Sequence, residues 1–158
     1  PVEIGHRIVV VDTSALMQHP ELLHGLISND ILVVPLRALS ELDGLKSSED
    51  ETRAAKARSA IRQLDANSSR IRHEKDHTAL LPAEWDARES DHAILSTALF
   101  FRLNAVLFVS NDINLRNKAK SLGLNTQDSK SYASSRLVPA AASEAHVQIK
   151  NKQKNKRR

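Results

Sequence analysis

Cysteine is absent from this chain. That excludes disulfide bonds and thiolate zinc centres, and it suits a reducing compartment. Long apolar runs are missing too. Nothing approaches the roughly 18 consecutive apolar residues that a membrane helix needs, so no membrane partner is expected. A signal-peptide pattern is also lacking, because the short apolar run Ile8–Val11 is interrupted at once by Asp12. An intracellular, cytoplasmic protein is expected. Aromatic residues are scarce, with three Phe, one Trp and one Tyr. Few rings are left to stack on bases, so sequence-specific reading of a nucleic acid is not expected. There are no internal repeats. The seven histidines show no metal-ligand spacing, and His92 reads as incidental to its neighbour Asp91.

What is present is an ordinary globular composition. The chain has 158 residues, 41% hydrophobic and 27% charged, enough for one domain with a real core. It begins at Pro1 rather than Met, which suits an excised or processed piece, and part of a larger multidomain protein or a homo-oligomer is expected. The formal net charge is +4, but its distribution matters more than its sum. Residues 138–158 carry six Lys or Arg and one acid, which leaves 17 basic and 18 acidic residues in 1–137. The basicity therefore belongs to the end of the chain, which reads as a flexible tail after a folded domain at 1–137. The tail suits RNA affinity by counterion release, a nuclear-import signal or a linker equally well.

Strand and helix patterns alternate. Ile8–Val11, Ile31–Val34 and Val106–Val109 are β-branched and apolar on both faces, as strands buried in a parallel sheet are. Helical patterns cover Pro20–Ser28, Leu36–Lys46, Asp50–Asn67, Arg88–Leu103 and Ile113–Leu122, the last stopped by Gly123. Leu124–Gln127 suits a closing edge strand. Asn67–Glu89 is polar and without clear period, with one short strand near Arg70–His73 or Thr78–Leu81. The alternation predicts an α/β fold, three layers deep, with a central parallel sheet flanked by helices.

Four acids stand out. Asp12 follows a buried strand, where open α/β sheets bind ligands, although a capping role explains it too. Glu41 borders the apolar stripe of its helix, as a merely solvated Glu also does; Asp43 faces further outward. Asp91 shares the inward stripe of Ile94, Leu95, Ala98 and Leu99, which a first-turn position behind a Ser90 cap does not explain. Asp112 follows the strand Val106–Val109 and suits a helix N-cap equally. Gathered at one rim, four carboxylates repel and raise one another's pKa values unless a cation sits among them. Mg²⁺ or Mn²⁺ fits such hard oxygen ligands and needs no Cys or His, and the chemistry it serves best is phosphodiester hydrolysis.

The blocks Val-Val-Val-Asp12-Thr13-Ser14-Ala-Leu, Ser-Glu41-Leu-Asp-Gly-Leu-Lys46, Ser-Asp91-His-Ala-Ile-Leu and Phe-Val-Ser110-Asn111-Asp112 occur in this order. Together they resemble the PIN-domain nuclease family over roughly residues 7–133. Within it, the chain looks most like PIN domains attached to PhoH-type ATPases and those of eukaryotic mRNA-surveillance nucleases. The resemblance implies cleavage of single-stranded RNA with Mg²⁺ or Mn²⁺. Asp12, Asp91 and Asp112 would hold the metal, Glu41 would orient the attacking water, and Thr13, Ser14 and Ser110 would support them. Ser14 stands where many members have Asn. Lys46, Arg53, Lys56, Arg116 and Lys118 are candidate phosphate contacts, although basic helix faces are most often simply solvated. Trp85 suits either packing or stacking. A non-catalytic scaffold that binds RNA or a protein is the rival reading. A haloacid-dehalogenase-like phosphotransferase is disfavoured, because it wants a second Asp where Ser14 stands.

Overall fold

The computed structural model describes residues 7–23 and 30–135. Among these residues five strands form one sheet, β1 (Arg7–Val11), β2 (Asp30–Pro35), β3 (Ile71–Glu74), β4 (Ala105–Val109) and β5 (Asn125–Gln127). Their order is β3-β2-β1-β4-β5, and every pairing is parallel. The helices are α1 (Thr13–Gln18), α2 (Leu36–Leu45), α3 (Glu51–Ala66), α4 (Ser90–Phe100) and α5 (Ile113–Ser121), and residues 129–135 are also helical. This is the expected α/β architecture.

The central strands are apolar on both faces because both faces are covered. Ile8, Val9, Val10 and Val11 are fully buried, as are Leu32, Val33, Val34, Phe108 and Val109. Removing that much apolar surface from water is the main stabilising term, about 25 cal/mol per Å². Gly123, at φ +83°, turns the chain after α5 in a conformation that other residues rarely adopt. Backbone bonds then extend the ladder past the strand ends. The Asp12 N–H donates to Val109 O at 3.1 Å, and the Ser110 N–H to Gln127 O at 3.0 Å. Asp12 and Ser110 are thereby set side by side where the strand order reverses, the crevice in which such sheets take ligands.

Several expectations change. The helix expected at Pro20–Ser28 begins as a 3₁₀ turn at Pro20–Leu23, and the remainder lies outside the described residues, as does the tail. The loose segment 67–89 contributes β3, the first of its two candidate strands, while Thr78–Leu80 forms a 3₁₀ turn. As a half-exposed edge strand of four residues, β3 is too short to show a period. The short helices α1 and 129–135 carry no helical period long enough to read and were not anticipated. α4 does not bury a single stripe, since every residue from His92 to Leu99 is buried. It ends at Phe100 rather than Leu103, which is 97% exposed.

Candidate active site

Asp12 sits at the carboxyl end of β1 and is 3% exposed. Its carboxylate is wrapped in donors. Ala15 N–H reaches Oδ1 at 2.9 Å, capping α1, and the Ser110 hydroxyl reaches Oδ2 at 2.5 Å. The Ser14 hydroxyl lies 2.8 and 2.9 Å from the two oxygens. Burial nevertheless pushes Asp12 up to about 6 from a usual 3.8. The bonds from Ser110, Ala15 and Ser14 pull it back down, and the charge of Asp91 adds to the rise. The two hydroxyls are themselves held, since Ser14 accepts from the Asn111 N–H at 3.1 Å and Ser110 from the Asp112 N–H at 3.0 Å. Asn111 Oδ1 in turn accepts from the Ser129 N–H and hydroxyl, both at 2.9 Å, and His19 Nδ1 lies 2.5 Å from that hydroxyl.

Asp91 links the acids. It stands in the first turn of α4, half-buried, and its pKa is raised, first by desolvation and then by the charges of Asp112 and Glu41. Lys118 and His92 offset part of that repulsion. Among the described residues nothing donates a hydrogen bond to Asp91. All four acids are thus within electrostatic reach of one another through Asp91, from four separate chain segments. Asp112 is exposed and caps α5, with Oδ1 accepting from the N–H groups of Asn114 at 2.9 Å and Leu115 at 3.2 Å. Glu41, on the second turn of α2, accepts from the Ser90 hydroxyl. That corrects the reading of Ser90 as an N-cap. Glu89 holds the cap position with no side-chain bond, and Ser90 serves α2 instead.

The basic candidates divide. Lys118 Nζ lies 3.1 Å from His92 Nε2 and 3.9 Å from Glu89, beside Asp91. His92 is no bystander. It is buried, its Nδ1 lies 2.8 Å from the Asp86 carbonyl, and Trp85 packs on it at 4.7 Å between ring centroids. With the ring proton on Nδ1, Nε2 accepts from the Lys118 ammonium. Arg116 turns back onto the Ser110 carbonyl at 2.7 Å and steadies the loop. Lys46 pairs with Asp43 at 2.6 Å, and Arg53 and Lys56 are exposed on α3 with no side-chain partner among the described residues. None of these three contacts the acids. Ser90, His92, Asn111 and Ser129 are the neighbours that sequence reading missed. Only Asn111, inside the Ser-Asn-Asp block, carried a local signal.

A PIN domain family model matches residues 9–130. This chain belongs to the PIN-domain family. Members of that family are generally metal-dependent nucleases. Among curated proteins, this PIN domain is 30% identical over 142 residues to Protein PhoH2 of Thermobispora bispora, covering 77% of this chain and 31% of that protein. It is 31% identical over 126 residues to Transcriptional protein swt1 of Schizosaccharomyces pombe, covering 71% of this chain and 26% of that one. The chain therefore spans less than a third of either relative. Among solved structures, the PIN domain of human SMG5 aligns at a TM-score of 0.52 and 21% identity, covering 81% of this chain and 97% of that one. A domain of a functionally unknown protein from Methanocaldococcus jannaschii aligns at 0.54 and 17%, covering 77% and 89%. At these identities the structures speak for the fold.

The oxygens around Asp91 have room for a further partner. Among the described residues Asp91 accepts no hydrogen bond, and Asp112 Oδ2 has no partner. The Thr13 hydroxyl, next to Asp12, is buried without a hydrogen bond among the described residues. These unsatisfied oxygens suit a hard cation. Among the described residues no three His, Asp or Glu side chains are grouped as a metal-holding set. An ion such as Mg²⁺, which keeps several waters and takes only one or two carboxylates directly, fits that spacing better than one that strips its shell. Among the described residues, no helix is long and apolar enough to cross a membrane.

Proposed function

We propose that this PIN domain is a metal-dependent endoribonuclease acting on single-stranded RNA. The observation that supports it best is the convergence of Asp12, Glu41, Asp91 and Asp112 around Asp91, whose mutual repulsion Lys118 and His92 offset only in part. Evolution of a fold for stability alone would not gather buried and half-buried carboxylates in one crevice, because each desolvated charge costs free energy without a compensating partner.

Asp12, Asp91 and Asp112 would hold Mg²⁺ or Mn²⁺, in part through water. The ion would supply charge stabilisation at the scissile phosphate and an acidified water. The chain's own residues do the rest. Ser110 and Ser14 keep the Asp12 carboxylate ionised and oriented, as their donated bonds favour its charged form. Ser90 holds Glu41 in position to orient the attacking water and accept its proton. Lys118, seated by His92, lies where a substrate phosphate would approach Asp91. The basic residues of 138–158 would add sequence-independent attraction.

The test is cleavage of an unstructured RNA by the full chain with Mn²⁺, with EDTA and with Asp12→Asn. Cleavage that needs Mn²⁺ and Asp12 supports the reading. Binding without any cleavage would instead support a scaffold.

A further inference from the structure

The carboxyl edge of β2 and β3 carries a second feature beside the acids. A cavity of about 380 Å³ opens there, lined by Leu36, Arg37, Ser40, Lys75 and Asp76. Arg37 stands four residues before Glu41 on α2, so the two share a helix face about one turn apart, roughly 5–6 Å between Cβ atoms. The cavity therefore adjoins the acid cluster on the β2–β3 half of the sheet. Arg116 and Lys118 lie on the other half, on α5 between β4 and β5.

Its lining has the character of a nucleotide site. Arg37 donates to Asp76 at 2.7 Å, which aims the guanidinium and leaves its other N–H groups without a partner among the described residues. The Lys75 ammonium has no acidic partner among them either. The backbone of Lys75 is nevertheless fixed, since the Thr97 hydroxyl donates to its carbonyl at 3.1 Å. Leu36 is 45% exposed at the first residue of α2, an apolar face turned to the cavity mouth. Arg37 and Asp76 balance one another, so Lys75 supplies a net positive charge. The volume falls at the small end of the range for ligand pockets, the size for one nucleotide rather than a duplex.

We propose that this cavity is the subsite for the nucleotide next to the scissile phosphate, with the adjoining phosphate on Lys75 and Arg37 and the base against Leu36. It deepens the nuclease reading and rests on it. One helix turn separates Arg37 from Glu41, about the step from one phosphate to the next along an extended strand. Leu36 offers apolar contact and no hydrogen-bonding pattern, so the subsite accepts any base. An RNA strand then crosses the sheet edge from α5, over the acids, to β3.

The experiment uses the full chain, with Lys75→Ala and Leu36→Ala, and a series of fluorescent unstructured RNAs shortened from either end. Binding is followed by anisotropy in EDTA, where cleavage is silent, and cleavage is followed separately with Mn²⁺. Lys75→Ala should weaken binding about 5–10-fold and reduce the salt slope by roughly 0.7, the value for one phosphate contact on a single strand. Leu36→Ala should weaken binding without changing the slope. Both losses should vanish for RNAs shortened at one particular end. Unchanged affinity in both variants, or equal losses for every length, overturns the subsite. If wild-type protein binds RNA but never cleaves it, the nuclease reading fails while the binding series still decides the subsite.

Discussion

Replacing Asp12 by Asn should make the metal-free protein more stable at neutral pH. Asp12 titrates near 6 in the folded chain and near 3.8 when unfolded, so between those values the folded state binds more protons. Stability linked to this group is full below about pH 3.8 and is lost as pH rises through 6. The full shift corresponds to about 3 kcal/mol, as an upper bound. Asn removes the buried charge but not the whole bonding pattern. Its amide oxygen still accepts from the Ala15 N–H and from Ser14, whereas its amide nitrogen meets the Ser110 hydroxyl, which must turn round. Rearranging that bond costs about 1 kcal/mol. A net gain of about 1–2 kcal/mol at pH 7 is expected, which for a chain of this size raises Tm by roughly 2–8 °C. The assay is urea and thermal unfolding of both proteins in EDTA at pH 4, 5, 6 and 7. The gap should open between pH 4 and 6, and Mn²⁺ should close it by raising the wild type alone. Equal differences at pH 4 and pH 7, or a variant less stable at pH 7, would refute the electrostatic account.

Ser110→Ala removes both a donor to Asp12 and the acceptor of the Asp112 N–H. It should cost about 1–3 kcal/mol at neutral pH and push the Asp12 pKa higher still, readable by carboxyl ¹³C NMR. His92→Ala takes away the acceptor that seats Lys118, so KM for RNA should rise several-fold, and an unchanged KM would return His92 to a purely packing role. Tyr132→Phe removes the hydroxyl that donates to Asp30 at 3.1 Å, where Arg7 pairs with the same carboxylate at the opposite, amino edge of the sheet. It should cost about 1 kcal/mol and leave RNA cleavage untouched, so a fall in cleavage would show coupling across the sheet.

The parallel sheet was legible because β1, β2 and β4 are buried on both faces, which writes unbroken apolar runs into the sequence. β3 showed only as one of two candidate strands, near Arg70–His73, because an edge strand half open to solvent needs no such run. α4 misled in an instructive way. Its stripe was read as one inward face, but the helix is buried from His92 to Leu99, and polar Ser96 and Thr97 are buried with it. Thr97 donates to Lys75 O and Ser96 accepts from the His77 N–H, so these contacts join α4 to the 71–81 segment, whose sequence shows no clear period. Contacts between distant segments, such as Ser90 with Glu41, have no local signature at all.

The capping and active-site readings of Asp12 and Asp112 do not compete, because a carboxylate has two oxygens. Asp112 spends Oδ1 on the first N–H groups of α5 and leaves Oδ2 without a partner among the described residues. Asp12 caps α1 through Oδ1, and Oδ2 accepts from Ser110, a side chain from the neighbouring strand end, and from Ser14. Capping fixes each side chain's direction at no cost to its remaining lone pairs. The capping bonds that made these acids look structural are therefore what holds them ready beside Asp91, the one acid of the four that neither caps a helix nor accepts a hydrogen bond among the described residues.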